Sequence, residues 1–167
     1  MIINNLAQAG DRRLIPRLGI LVAKLDDVAD EFNALWGYTY AIAYALEHLA
    51  LPQGALILKQ ALDKPFLKKP VVMRRQDPRR CVDIKSERLI YLRLCLSRAL
   101  ARCGNTEGCL ELCEFLEEAR VCYARNSHQE LVAVTSQDFG FNTKKWKAWL
   151  TDNNSVLTPT PVRRKFS

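Results

Sequence analysis

The sequence predicts an all-α fold, an α-solenoid in which about three helix pairs stack side by side. Three observations carry that prediction. First, a stretch recurs. Residues 45–62, ALEHLALPQGALILKQAL, align with residues 99–116, ALARCGNTEGCLELCEFL, at an offset of 54, which sets Gly54 on Gly108, Leu56 on Leu110, Leu58 on Leu112 and Leu62 on Leu116. Each copy reads as an apolar-periodic helix, a polar turn and a second such helix. Second, helix breakers are sparse, with seven Gly and seven Pro in 167 residues, while Ala, Leu, Arg and Glu are plentiful. Third, apolar residues return at helical spacing through most of the chain. A weaker copy of the unit opens it, where Ala9-Gly10-Asp11 leads to Leu14, Leu18 and Leu21.

In chain order, residues 4–9 read as the end of a first helix and Gly10-Asp11 as a turn, with the Asp11 carboxylate placed to cap a second helix. Leu14, Leu18, Leu21, Val22 and Leu25 line that second helix, and Pro16 pushes its start beyond Asp11 or bends it. Asp26, Asp27, Asp30 and Glu31 read as a solvated acidic helix start. Gly37 is expected to break the run after Phe32, Leu35 and Trp36, so that residues 38–49 form a separate helix. Leu51-Pro52-Gln53-Gly54 is the predicted turn, residues 55–62 the return helix, and Pro65 its stop.

Residues 63–84 interrupt the repeat. They hold Pro65, Pro70 and Pro78, show no helical period, and carry Lys64, Lys68, Lys69, Arg74, Arg75, Arg79 and Arg80 against Asp63, Asp77 and Asp83. Insertions in stacked repeats fall on one edge and build binding faces there. Lys68, Lys69, Arg74, Arg75, Arg79 and Arg80 are therefore the candidate partner or anion surface. Without interleaved aromatics for base stacking, nucleic acid is the weaker of its ligands.

Residues 87–103 form the clearest helix, with Leu89, Leu92, Leu96, Ala99, Leu100 and Cys103 as its stripe and Arg88, Arg93, Arg98 and Arg102 pointing elsewhere. Gly104 suits the left-handed cap. A helix is expected over 109–123, with Leu112, Phe115, Ala119 and Cys122 along one line and Cys109, Cys113 and Leu116 along another, then a short one over 128–135. Asn142 or Thr143 caps a last helix in which Trp146, Trp149 and Leu150 share a face, closing the stack with Phe139 as a plug. A helical-repeat domain thus spans 1–150, and residues 151–167 read as a flexible polar tail.

The chemistry expected of this chain is sparse. Cys81, Cys95, Cys103, Cys109, Cys113 and Cys122 lack zinc-ligand spacing and read as core residues of a reducing compartment. His48 and His128 accompany no nucleophile motif, and Asp138-Phe139-Gly140 comes without the other kinase elements. No glycine-rich phosphate loop is present. The expectation is no catalytic residue, no cofactor and no metal. The N-terminus lacks a signal-peptide pattern, no run is long enough for a membrane span, and the cytoplasm is the default compartment. The chain opens inside a repeat-like unit, as a piece of a longer protein would.

The turns at Gly10-Asp11, Leu51-Pro52-Gln53-Gly54 and Gly104-Asn105-Thr106-Glu107-Gly108 resemble those of HEAT repeats of the phycobilisome-lyase type, and so does the closure Gln137-Asp138-Phe139-Gly140-Phe141-Asn142 with Trp146 and Trp149. Residues 38–66 and 89–134 also resemble the helical C-terminal region of some bacterial FAD-dependent oxidoreductases. Their flavin sits on a separate glycine-rich domain that has no counterpart here, so no flavin-binding residue carries over. These resemblances imply a non-catalytic scaffold whose partner is a protein or a neighbouring enzyme domain. The alternatives are an accessory domain of a flavin oxidoreductase, and polyanion or nucleic-acid binding through the basic loop.

Overall fold

The computed structural model describes residues 2–28, 32–67, 84–153 and 157–162. Among them lie eight α-helices: α1 (Ile2–Gln8), α2 (Leu14–Ala23), α3 (Phe32–Leu49), α4 (Pro52–Leu62), α5 (Ile84–Arg102), α6 (Thr106–Phe115), α7 (Val121–Thr135) and α8 (Thr143–Asp152). Short 3-10 helices occupy Lys24–Val28 and Pro65–Leu67, and the described residues contain no β-strand. The fold class is all-α.

The odd-numbered helices pack in a row, α1 on α3, α3 on α5 and α5 on α7. The even-numbered ones pack as α2 on α4 and α6 on α8, with α5 in contact with both α4 and α6. Two apolar clusters result, and α5 supplies both. Leu92, Leu96 and Leu100 join Leu18, Ile42, Leu46 and Leu58 in the first. Ile90, Leu94 and Ala101 join Phe115, Leu131 and Trp146 in the second. Each fully buried leucine contributes about 2 kcal/mol.

Local chemistry sets the helix ends. Gly10 (φ 72°) and Gly104 (φ 82°) are left-handed. At each, the next residue's N–H reaches back five residues, Asp11 to the Leu6 carbonyl and Asn105 to that of Leu100. That closure satisfies carbonyls a helix end would leave orphaned. Asn105 and Asn142 cap α6 and α8, accepting from the backbone N–H of Glu107 and Lys145. Asp11 instead folds onto Arg13, accepting from its backbone N–H at 3.0 Å, and α2 starts at Leu14, so Pro16 falls in its first turn.

Four expectations need correction. Gly37 breaks nothing: α3 runs through it from Phe32 to Leu49. One interior glycine costs about 1 kcal/mol, too little to divide a helix held by packing on two neighbours. Gly54 is not a turn residue, since α4 starts at Pro52, whose missing N–H costs nothing there. It lies buried inside the first turn of α4, as Gly108 lies inside that of α6. The matched pair Leu56 and Leu110, which the repeat alignment puts among the positions that stack the helices, face outward instead, 65% and 36% exposed. Finally, α6 stops at Phe115 and α7 begins at Val121, leaving Ala119 and Cys122 exposed. Neither Gly nor Pro marks that corner. It is organised by Glu118, wholly buried, whose carboxylate takes Arg120 at 2.8 Å while Arg120 also reaches Glu87 on α5 at 2.7 Å.

Candidate functional site

Lys68, Lys69, Arg74, Arg75, Arg79 and Arg80, the residues singled out from sequence, lie outside the described residues, as does Cys81. The described chain offers two other places where side chains converge.

The first is a groove of about 710 Å³ between α4 and α6. Among the described residues these two helices do not pack closely on each other, so α5 floors the gap with Leu100. Leu62 and Leu110 line its sides, and ion pairs stand around it. Lys59 Nζ meets Glu107 at 2.7 Å, Arg93 forks onto both oxygens of Glu111 while donating to the Leu67 carbonyl at 2.9 Å, and Lys147 binds Glu114. The hydrogen bond that Lys147 donates to Glu114 raises the Lys147 pKa. The Lys59–Glu107 and Lys147–Glu114 pairs are well hydrated, and such pairs contribute about 0–1 kcal/mol each.

The second lies along the row of α3, α5 and α7. Tyr40 and Tyr91 rings sit 6.1 Å apart, and Tyr91 and Tyr123 rings 6.3 Å apart. Seven residues further along each helix, Glu47 Oε1 accepts from Arg98 Nη2 at 2.6 Å, and Arg98 lies 3.5 Å from Glu130. Equal steps on all three helices mean that they run parallel in one register. Arg102, one turn beyond Arg98, forks onto Glu130 at 2.7 and 3.0 Å. Glu47, Arg102 and Glu130 are each less than a tenth exposed. Desolvation raises the Glu47 pKa, opposed by Arg98 and reinforced by Glu130. Burial works against the Arg98 guanidinium, but Glu47 and Glu130 outweigh it and its pKa rises.

Between the tyrosine rung and the ionic rung is a cavity of about 170 Å³, bounded by Tyr44, His48, Cys95 and, from the C-terminal segment, Val162. Burial, then Cys95 and Tyr40, pushes the Tyr91 hydroxyl pKa up. His48 stacks on Tyr44 with ring centroids 4.1 Å apart and places Nδ1 2.9 Å from the Tyr44 carbonyl, a packing role. His128 meets Asp138 at 2.8 Å, and that bond lowers the Asp138 pKa.

Sequence reasoning missed the ionic rung. The sequence places Arg98 and Arg102 off the apolar stripe of their helix and gives neither a partner. The available signal was two arginines one turn apart in the half of α5 where apolar residues flank them on both sides, Cys95-Leu96 before and Ala99-Leu100-Ala101 between them.

Cys95, Cys103, Cys109 and Cys113 are buried free thiols, and Cys122 is exposed. Burial pushes the thiol pKa up to about 11 at Cys95 and about 12 at Cys103, Cys109 and Cys113, which suppresses the nucleophilic thiolate. In a Cys81→Ser background, a thiol reagent is expected to label Cys122 rapidly in the native chain and the other four only as fast as it unfolds. Mass spectrometry reads the count, and fast labelling at five positions would contradict their burial.

Among the described residues no group of three or more His, Cys, Asp or Glu could hold a metal ion, and no helix is long and apolar enough to cross a membrane. Trp146 is fully buried, its indole N–H donates to the Gly140 carbonyl at 2.8 Å, and Phe139 packs edge-on against it at 4.9 Å. No protein-family model, curated protein or solved structure matches this chain.

Proposed function

We propose that this chain is a non-catalytic helical-repeat scaffold of the α-solenoid kind, which holds a protein partner in the groove between α4 and α6. The observation that carries this reading is the groove itself: about 710 Å³, with an apolar floor, formed where two repeat-equivalent helices stand apart. The outward placement of Leu110, and of Leu56 at the matching position, supports it. An apolar strip flanked by Lys59, Glu107, Glu111 and Lys147 suits a protein segment that presents apolar side chains to the floor and charges to the rim.

The test uses cross-linking capture with the purified full chain, a Leu110→Asp variant and an Ile20→Asp variant. Ile20 is exposed on α2, away from the groove. Both substitutions are expected to change stability by no more than about 0.5 kcal/mol. The partner should be lost with Leu110→Asp and kept with Ile20→Asp. Identical capture by all three chains would remove the groove from the function.

A further inference from the structure

The composition of residues 151–167 predicts a flexible tail, yet residues 157–162, Leu-Thr-Pro-Thr-Pro-Val, lie against the helices without helix or strand of their own. Leu157 packs on the second apolar cluster. The Thr160 N–H donates to the Arg102 carbonyl at 2.8 Å, supplying a partner to an acceptor that the end of α5 would leave orphaned. Arg102 returns a bond from Nη1 to the Thr160 carbonyl at 3.0 Å while its other nitrogens hold Glu130. Gly104 lies under the segment: a Cβ there would meet the Leu157 carbonyl oxygen at 3.0 Å and Pro159 Cδ at 3.2 Å. Val162 then forms one wall of the cavity of Tyr40, Tyr44, Glu47, Tyr91 and Arg98.

These contacts describe a peptide seat. The Arg102 carbonyl and guanidinium together hold the Thr160 backbone, the bare Gly104 admits a proline-containing backbone at close range, and separate places receive the flanking Leu and Val. Each Thr precedes a Pro and is thereby held in extended or polyproline conformations, so such a segment loses little freedom on docking. Val162 borders a space of about 170 Å³, and the Nε–H of Arg98, one of the residues that line it, is buried without an acceptor.

We propose that the C-terminal end of α5 and the adjoining α3–α5 cleft form a docking site for an extended, proline-spaced peptide with the pattern hydrophobic-Thr-Pro-Thr-Pro-hydrophobic, and that residues 157–162 occupy it in cis until a partner segment of that chemistry displaces them. This surface is distinct from the α4–α6 groove. A tethered occupant competes at an effective concentration in the millimolar range, so a free peptide binds the intact chain weakly and the strap-released chain well.

The experiment titrates a fluorescently labelled LTPTPV peptide into the full wild-type chain and into a full-length Leu157→Asp/Thr160→Pro variant. That variant removes the apolar anchor and the N–H that the Arg102 carbonyl accepts, and leaves every helix residue unchanged. Its helical circular dichroism should match wild type. Binding is expected to be at least about ten-fold tighter on the variant, lost with the control peptide LTATAV, and unaffected by adding Leu110→Asp. Equal affinity for both chains, or no binding to the released chain, would overturn the proposal. So would a wild-type dimer that the double substitution dissociates, because the occupant would then be a second copy exchanging straps. None of these three results bears on the groove, whose own variant is scored separately.

Discussion

Gly108→Ala is expected to destabilise the chain by about 3 kcal/mol, at the upper end of what overpacking costs. A Cβ at this position would lie 2.3 Å from the Ala101 nitrogen and 2.8 Å from both the Leu100 carbonyl carbon and the Ser97 oxygen. All three are backbone atoms of α5, so relief requires α6 to move away from α5 along the interface that feeds the second apolar cluster. The roughly 1 kcal/mol by which alanine favours a helix over glycine offsets only part of this. At about 2–4 °C per kcal/mol for a chain of this size, the melting temperature should fall by roughly 6–12 °C. Gly54→Ala is the control from the matching position. Its nearest neighbours are side-chain atoms, Leu46 Cδ2 at 3.0 Å and Cys103 Sγ at 3.3 Å, which can shift by a few tenths of an ångström. Its effect should stay within about 1 kcal/mol. Equal losses from the two substitutions, measured by thermal melting, would show that backbone approach is not what Gly108 provides.

Arg102→Met is expected to cost about 3–5 kcal/mol near neutral pH, the usual consequence of removing one partner from a buried ion pair. It takes from the Glu130 carboxylate its forked partner and leaves, among the described residues, Arg98 alone to balance Glu130 and Glu47. The loss should shrink on acidification, because a protonated carboxyl tolerates burial. The wild-type chain carries the same sign in milder form. Glu47 titrates above the ordinary glutamate value of 4.5, so it holds its proton more tightly folded than unfolded. Its contribution is complete below that ordinary value and is lost as pH rises through the raised folded one. Asp11, held down to about 2 by hydrogen bonds from Arg13, acts in the opposite sense: its contribution is present above the ordinary aspartate value and lost only in stronger acid. Urea unfolding of wild type, Arg102→Met and Glu47→Gln at pH 5 and pH 7.5 separates these effects. Arg102→Met should gain relative stability at pH 5, and Glu47→Gln should flatten the wild-type slope. A loss from Arg102→Met that is the same at both pH values would mean that no carboxylate was left stranded.

The elements legible in the sequence were those fixed by local chemistry. The glycine closures at Gly10 and Gly104, the Asn142 cap and the shared face of Trp146 and Leu150 all follow from short-range rules. What misled was tertiary. Packing carried α3 through Gly37, and the buried Glu118–Arg120 pair made a corner where propensity predicted continuous helix. The repeat alignment located Gly54 and Gly108 but could not say that both serve close approach inside helices. The buried ionic rung was illegible for a related reason. A charged residue beside an apolar stripe has two destinations, solvent or a second neighbour, and only the third helix in the row decides between them.

The shared register of α3, α5 and α7 also governs which length changes the chain tolerates. Tyr91 and Arg98 meet partners on both flanking helices because seven residues separate them, as seven separate Tyr40 from Glu47 and Tyr123 from Glu130. One residue inserted or deleted between them turns one rung about 100° against the other, so either the ring contacts or the ion contacts are lost. Residues gained or lost between Leu67 and Ile84 leave both rungs aligned, because each rung is set by spacing within helices. Length changes inside α3, α5 or α7 therefore break the row, and changes outside these helices leave its spacing intact.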